Sequence, residues 1–287
     1  MALLGGVSVP QAGSSQALLS RPDTELKFRS LQPGEVIHVT VKTNADISHI
    51  SAEFFGQELI LIPRKDSAVY QGFLGLDMGL EPGTYPLEIL LHDRNEETQI
   101  VRDVLDVSPR EFPFTRLQVP QRYVTPPEKF WPRIQAEKEL LQMIFSVFTG
   151  EWLADGSFIL PLEGNRNHNF GQKRLLNNTH RSVHSGEDIQ TVSGTPVKAS
   201  NSGRIAFAAD LYYAGNTVII DHGLGVFSLY CHFSEIEVKK DVFVKKGEVL
   251  GKVGATGRVT GPHLHWGFRV HGQRVDPDSI LSFSLEK

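Results

Sequence analysis

From about residue 20 to 110, apolar residues come in short runs separated by turn-forming glycine and proline, the rhythm of successive β-strands. Runs at 35–42, 50–55, 68–76 and 85–92 carry this rhythm, punctuated by Gly34, Gly72 and the Pro82-Gly83 pair. The pattern predicts a β-sandwich of roughly immunoglobulin size. It breaks at 108–127, where Pro109, Pro113, Pro120, Pro126 and Pro127 resist regular structure and mark a linker. A helical period follows over about 128–148. There Leu141, Ile144, Phe145 and Phe148 repeat at offsets of 0, 3, 4 and 7, giving one apolar stripe to pack on a neighbour, and Gly150 is placed to end the helix. Strand rhythm returns from about 155, in runs at 195–199, 203–208, 217–221, 225–232, 249–253 and 263–270 with glycines dense between them. The chain is therefore expected to be mainly β. Residues 17–110 would form the sandwich, 111–154 the proline-rich linker with its one helix, and 155–287 a second all-β domain.

Composition narrows the function classes. The chain has 287 residues, 40% of them hydrophobic and 22% charged, with a net charge of -4. No broad basic field points to nucleic acid, and no apolar run approaches the roughly 18 to 20 residues needed to cross a bilayer. Residues 1–16 lack the basic start and extended apolar stretch of a signal peptide. The single cysteine, Cys231, can form neither an intrachain disulfide nor a cysteine-rich zinc site. Any metal must sit on histidine and carboxylate.

Two spacings single out chemistry among the eleven histidines. The segment Gly261-Pro262-His263-Leu264-His265-Trp266-Gly267-Phe268-Arg269-Val270 alternates with period two, so it reads as a strand with one buried face. Leu264, Trp266, Phe268 and Val270 take that face. His263 and His265 then share the other, about 7 Å apart along the strand, whereas a helix would turn them roughly 200° apart. In His184-Ser185-Gly186-Glu187-Asp188 the even spacing keeps His184 and Asp188 on one side of an extended chain, and Gly186 allows a bend toward a shared centre. Imidazole and carboxylate are suitable zinc ligands without thiolate. A further histidine, His232, lies in Leu229-Tyr230-Cys231-His232-Phe233.

Taken together, His184-x-x-x-Asp188, Tyr230-x-His232 and Thr260-Gly261-Pro262-His263-Leu264-His265 resemble the lysostaphin-type (LytM, M23) family of zinc endopeptidases that cut bacterial cell-wall peptides. Surrounding punctuation agrees, including Gly194-Thr195-Pro196-Val197, Asp221-His222-Gly223 and Gly254-Ala255-Thr256-Gly257. The likeness covers about residues 165 to 275. It implies that His184, Asp188 and His265 bind Zn2+, and that His232 and His263 are the catalytic histidines beside the attacking water. By the same resemblance the substrate is a peptidoglycan stem peptide or cross-link, and the place of work is the periplasm or cell surface, with the signal peptide trimmed away. The alternative is a non-catalytic or latent wall-binding module of the same fold. Elementary chemistry is compatible with catalysis: three protein ligands leave a tetrahedral ion one open position. No His-Glu-x-x-His motif supplies a glutamate base, so a histidine must handle the proton.

Several neighbours receive a plainer reading. Glu187 is expected to be a surface charge turned away from the metal. By alternation Cys231 should face the core and Tyr230 the site face, where it would pack or bond substrate. His222 and His271 read as turn residues, His168 and His180 as loop residues, and His38, His49 and His92 as strand or surface histidines. Asn167 and Asn169 lie where latent relatives place an asparagine that fills the open zinc position.

Overall fold

The computed structural model describes residues 22–283 apart from 44–45, 65–67 and 96. The stretch 1–16, whose signal character was weighed above, lies outside the described residues. Seven strands come first: β1 (Asp23–Lys27), β2 (Val36–Lys42), β3 (Ile47–Phe54), β4 (Gln57–Pro63), β5 (Val69–Gly75), β6 (Gly83–Asp93) and β7 (Thr98–Val107). They form one antiparallel path in the order β1-β2-β5-β4-β3-β6-β7. Strand β4 joins its two halves, pairing with β3 along its length and with β5 at Ile62 and Pro63. Alternate residues of both halves, among them Ile37, Val39 and Leu74 on one side and Ile50, Ile89 and Leu105 on the other, meet in a single apolar core. His38 is buried beside Gln71, while His49 and His92 stack across the β3–β6 pair, so all three are strand histidines.

The proline-rich stretch differs from the irregular linker the sequence predicts. It contains a strand, β8 (Phe114–Leu117), which finds a partner in the second half of the chain. Proline flanks this strand at Pro113 and Pro120 and leaves its own amides free to pair. The predicted helix starts three residues late: a 3-10 turn covers Glu128–Phe130 and α1 runs Trp131–Ser146, with Pro132 in its first turn, where a missing N–H costs nothing. It ends at Val147, which turns extended, so Gly150 does not cap it.

The remaining strands are β9 (Asn165–Arg166), β10 (Lys173–Leu176), β11 (His180–Val183), β12 (Glu187–Gln190), β13 (Pro196–Lys198), β14 (Gly203–Leu211), β15 (Gly215–Asp221), β16 (Val226–Ile236), β17 (Phe243–Val244), β18 (Val249–Val253), β19 (His263–Val270) and β20 (Gln273–Val275), followed by the short helix α2 (Pro277–Leu281). Ten of them build a sheet ordered β17-β14-β15-β16-β19-β12-β9, with β13 on β18, β18 also on β16, and β20 on β19. Strands β8, β10 and β11 form a separate small sheet, β8 running parallel to β10 and β11 hairpinned on its far side.

Alternation sorts the large sheet's two faces. Val218, Ile220, Tyr230, Leu264, Trp266, Phe268 and Val270 point into the main core. Ile219, Phe227 and Leu229 point the opposite way, toward Leu140, Leu141, Ile144 and Phe145 of α1. Beyond the helix that same face opens into a groove. The two parts of the chain are bound together: Val36 and Phe73 belong to the second core, Val36 N donates to Ser279 Oγ, and Arg274 pairs with Asp77. No helix among the described residues is long and apolar enough to cross a membrane.

Candidate metal and catalytic site

Three backbone devices bring distant side chains to the groove. Register places Asp188 of β12 directly opposite His265 of β19, and His265 opposite Cys231 of β16, so these three lie abreast on one face. His184 arrives from the short turn between β11 and β12. Gly186 in that turn is required by contact more than by bending: a Cβ there would lie 2.5 Å from the Trp266 carbonyl oxygen and 2.8 Å from the His265 ring. The third device is a β-bulge. From Asn216 to Val218 on β15, three steps of β16 are spanned, Phe233 to Tyr230, and His232 takes a left-handed φ of 68°.

That bulge corrects the predicted facing of β16. Strict alternation put Tyr230 with His232 on the site side and Cys231 in the core. In the structure Tyr230 is wholly buried, its hydroxyl accepting from Ser200 N and lying 3.0 Å from Ser228 Oγ. Cys231 and His232 both line the groove, because the extra residue resets the period between them. Burial, the trait expected of Cys231, does hold, and pushes its thiol up to about 12, so it is no thiolate nucleophile.

The donor atoms converge tightly. His184 Nε2 lies 2.8 Å from His265 Nδ1 and 2.9 Å from Asp188 Oδ1, and His265 Nδ1 lies 3.1 Å from Asp188 Oδ1. Around a tetrahedral zinc with bonds of about 2.0 Å the donors would stand roughly 3.3 Å apart. The set therefore fits zinc with a slight relaxation. His184 Nδ1 donates to the Asn169 carbonyl at 3.0 Å, which leaves the lone pair on Nε2, facing the centre. Burial holds His265 down to about 4 despite Asp188. For Asp188 burial acts upward, yet His184 and His265 outweigh it and keep the carboxyl well below its usual range.

His232 and His263 stand beside this trio, with ring centroids 4.9 Å apart. His232 Nδ1 donates to the Thr256 carbonyl at 2.8 Å and His263 Nδ1 to the Gly261 carbonyl at 2.8 Å, so the neutral form of each ring carries its lone pair on Nε2. Burial, helped by His263 and His265, lowers His232 to about 3. All five predicted residues thus border one groove of about 490 Å³.

Other residues depart from their sequence readings. Glu187 is not a surface charge: it is 2% exposed, paired with Arg166, and accepts from His168 N. Asn169 does not fill an open metal position; its side chain donates to Asp188 Oδ2 at 3.0 Å and accepts from Asp188 N. His222 sits at the turn between β15 and β16, as expected, but is not exposed. It is completely buried, donating from Nδ1 to Ser202 and accepting from Ser228. His180 lies on β11, while His168 and His271 occupy bends with positive φ. Arg174, whose guanidinium bonds Asp188 Oδ2 at 2.8 Å, carries no sequence signal linking it to the site. Only the β10–β11 hairpin brings it there.

Residues 182–277 match the model of peptidase family M23. Over 98 residues it is 46% identical to the DD-carboxypeptidase/endopeptidase Mpg of Neisseria meningitidis serogroup B, covering 34% of this chain and 23% of that protein. Over 109 residues it is 43% identical to the peptidoglycan DD-endopeptidase ShyA of Vibrio cholerae, covering 38% of this chain and 25% of that one. The chain therefore spans about a quarter of the length of these relatives. A crystal structure of a Pseudomonas aeruginosa protein assigned to peptidase M23 aligns over 88% of this chain and 96% of its own, with a TM-score of 0.65 and 26% identity. That likeness extends across both cores.

Proposed function

We propose that this protein is a zinc-dependent endopeptidase that hydrolyses peptide bonds of bacterial peptidoglycan, in the stem peptide or its cross-link, within the cell envelope. The convergence of His184, Asp188 and His265 at 2.8 to 3.1 Å, with two further histidines presenting bare Nε2 atoms, is the observation that carries this reading. Its substrate class rests on the likeness to the Neisseria and Vibrio enzymes. A zinc ion bound by the three donors would lower the pKa of water to about 7 and polarise a carbonyl.

The protein's own side chains supply the remaining work. Asp188 enters as a carboxylate, and His184 and His265 would hold the ion through Nε2 and Nδ1 of their neutral rings. His263, with Nδ1–H tied to the Gly261 carbonyl, can take a proton at Nε2 from attacking water and return it to the leaving amine, while His232, held neutral by burial, can accept a hydrogen bond at its own Nε2. Their anchoring to the segment 256–261 fixes both rings.

Digestion of purified peptidoglycan tests this reading against the alternative of a binding module. The zinc-loaded protein is expected to release soluble muropeptides while His263→Ala releases none. Release no greater than that of the variant would favour the non-catalytic module.

A further inference from the structure

The groove is charged against the molecule around it. The chain carries a net -4, yet three arginines, Arg174, Arg258 and Arg269, face a single carboxylate, Asp188, along the groove's lining, a formal +2 before any metal is counted. Two of the three are engaged. Arg174 bonds Asp188 and Gln172, and Arg269 bonds the Phe268 carbonyl and lies over the Phe145 ring. Arg258 differs: its guanidinium sits over the Tyr213 ring at 4.8 Å, and among the described residues no carboxylate or carbonyl bonds it. Burial, helped by Arg174 and only partly opposed by Tyr213, gives it a lowered pKa, the mark of a cation short of counter-charge.

Its position is built, not accidental. Arg258 N donates to the Tyr213 carbonyl at 2.8 Å, and Gly257 packs so closely on Tyr213 and Gly215 that a Cβ would lie 2.5 Å from their backbone atoms. Two residues earlier, the Thr256 carbonyl holds the His232 ring. One short, tightly anchored segment therefore carries both a groove histidine's support and an unpaired planar cation. A planar guanidinium matches a carboxylate with two parallel hydrogen bonds, and a partly dehydrated one gains most from that pairing.

We propose that Arg258 is a specificity-determining residue that binds a carboxylate of the substrate peptide, so that the enzyme prefers peptides bearing a free acid near the scissile bond. The inference rests on the peptidase reading for its substrate. The acid is either a side-chain carboxylate or a chain terminus, and the two are separable.

Stem-peptide dimers would be made in four forms, with the side-chain acid nearest the cross-link free or amidated and the C terminus free or amidated. Wild type should favour one free-acid form over its amide by about 10-fold or more in kcat/KM, mostly through KM, as loss of a charge-assisted hydrogen bond implies. Arg258→Gln should bring that ratio near one, and Arg258→Lys should keep part of it. The carboxylate whose amidation matters identifies the source. Fluorescence anisotropy with the metal-free protein should show the same preference in binding, with thermal unfolding monitoring the fold of each variant. Equal binding and turnover of acid and amide forms by wild type, or an undiminished ratio in a folded Arg258→Gln, would overturn the proposal. Selective binding of the acid without cleavage of any form would instead sink the peptidase reading and leave this one standing.

Discussion

Asp188 is gripped on both oxygens. Oδ1 faces the histidine pair, while Oδ2 accepts from Asn169 Nδ2 at 3.0 Å and Arg174 at 2.8 Å. With Oδ2 so engaged, the carboxylate is oriented to offer one oxygen to an ion. Arg174→Gln and Asn169→Ala are accordingly expected to weaken zinc binding about 10- to 100-fold, with secondary structure retained, in a chelator competition titration. An unchanged zinc affinity in both variants would remove them from the account. Residues of this kind are poorly legible in sequence. His184, Asp188, His263 and His265 could be found because even spacings on extended chain put them on common faces. Arg174 could not, since its link to Asp188 spans two different sheets.

Among the elements, β16 shows how a single left-handed residue defeats a periodicity argument. His232 lines the groove, but Cys231 and Tyr230 take the faces opposite to those that alternation assigns, because the bulge inserts an extra residue. Nothing in Tyr230-Cys231-His232 advertises that φ. Strand β19 had no such irregularity in its eight residues, and its alternation was legible throughout. The turn leading into β12 gives a sharp element-level prediction. Gly186→Ala forces a methyl against the His265 ring and the Trp266 carbonyl, so it should reduce zinc below one ion per chain and destabilise the fold by about 1 to 3 kcal/mol. Full zinc loading with wild-type stability would contradict that contact. Helix α1 was also legible as a one-faced helix, because Leu141, Ile144 and Phe145 share a stripe. Phe145→Ala, which removes a half-buried ring packed on Phe227, should cost about 2 kcal/mol in urea unfolding yet leave zinc content unchanged.

For the molecule as a whole, the sequence carried the β character but neither the strand inside the proline-rich stretch nor the contacts that join the parts. Those contacts are ion pairs between residues far apart in the chain, such as Asp276 with Arg29 at 3.0 Å and with Arg110 at 2.5 Å. They have no periodicity to reveal them. Asp276→Ala leaves Glu35 as the one carboxylate paired with both arginines and removes the cap of α2, so unfolding should become easier by about 2 kcal/mol. Acid stability follows from His222, buried within the second core and lowered by that burial to about 4 from an ordinary 6.5. Its neutral form is favoured by folding. The stabilisation is complete above pH 6.5 and falls as pH drops from 6.5 toward 4, where the unfolded chain binds the proton first, a loss of roughly 3 kcal/mol. Urea midpoints at pH 7.5 and pH 5 should show it, and His222→Gln should reduce the difference without abolishing it, since burial also lowers His232, His265 and His271.

The central claim is that three side chains separated by up to 81 positions hold one catalytic ion. Native mass spectrometry of the zinc-equilibrated protein tests it most directly. One zinc per chain in the wild type, absent in His265→Ala, is the predicted result; no zinc in the wild type, or one zinc retained by the variant, would contradict it.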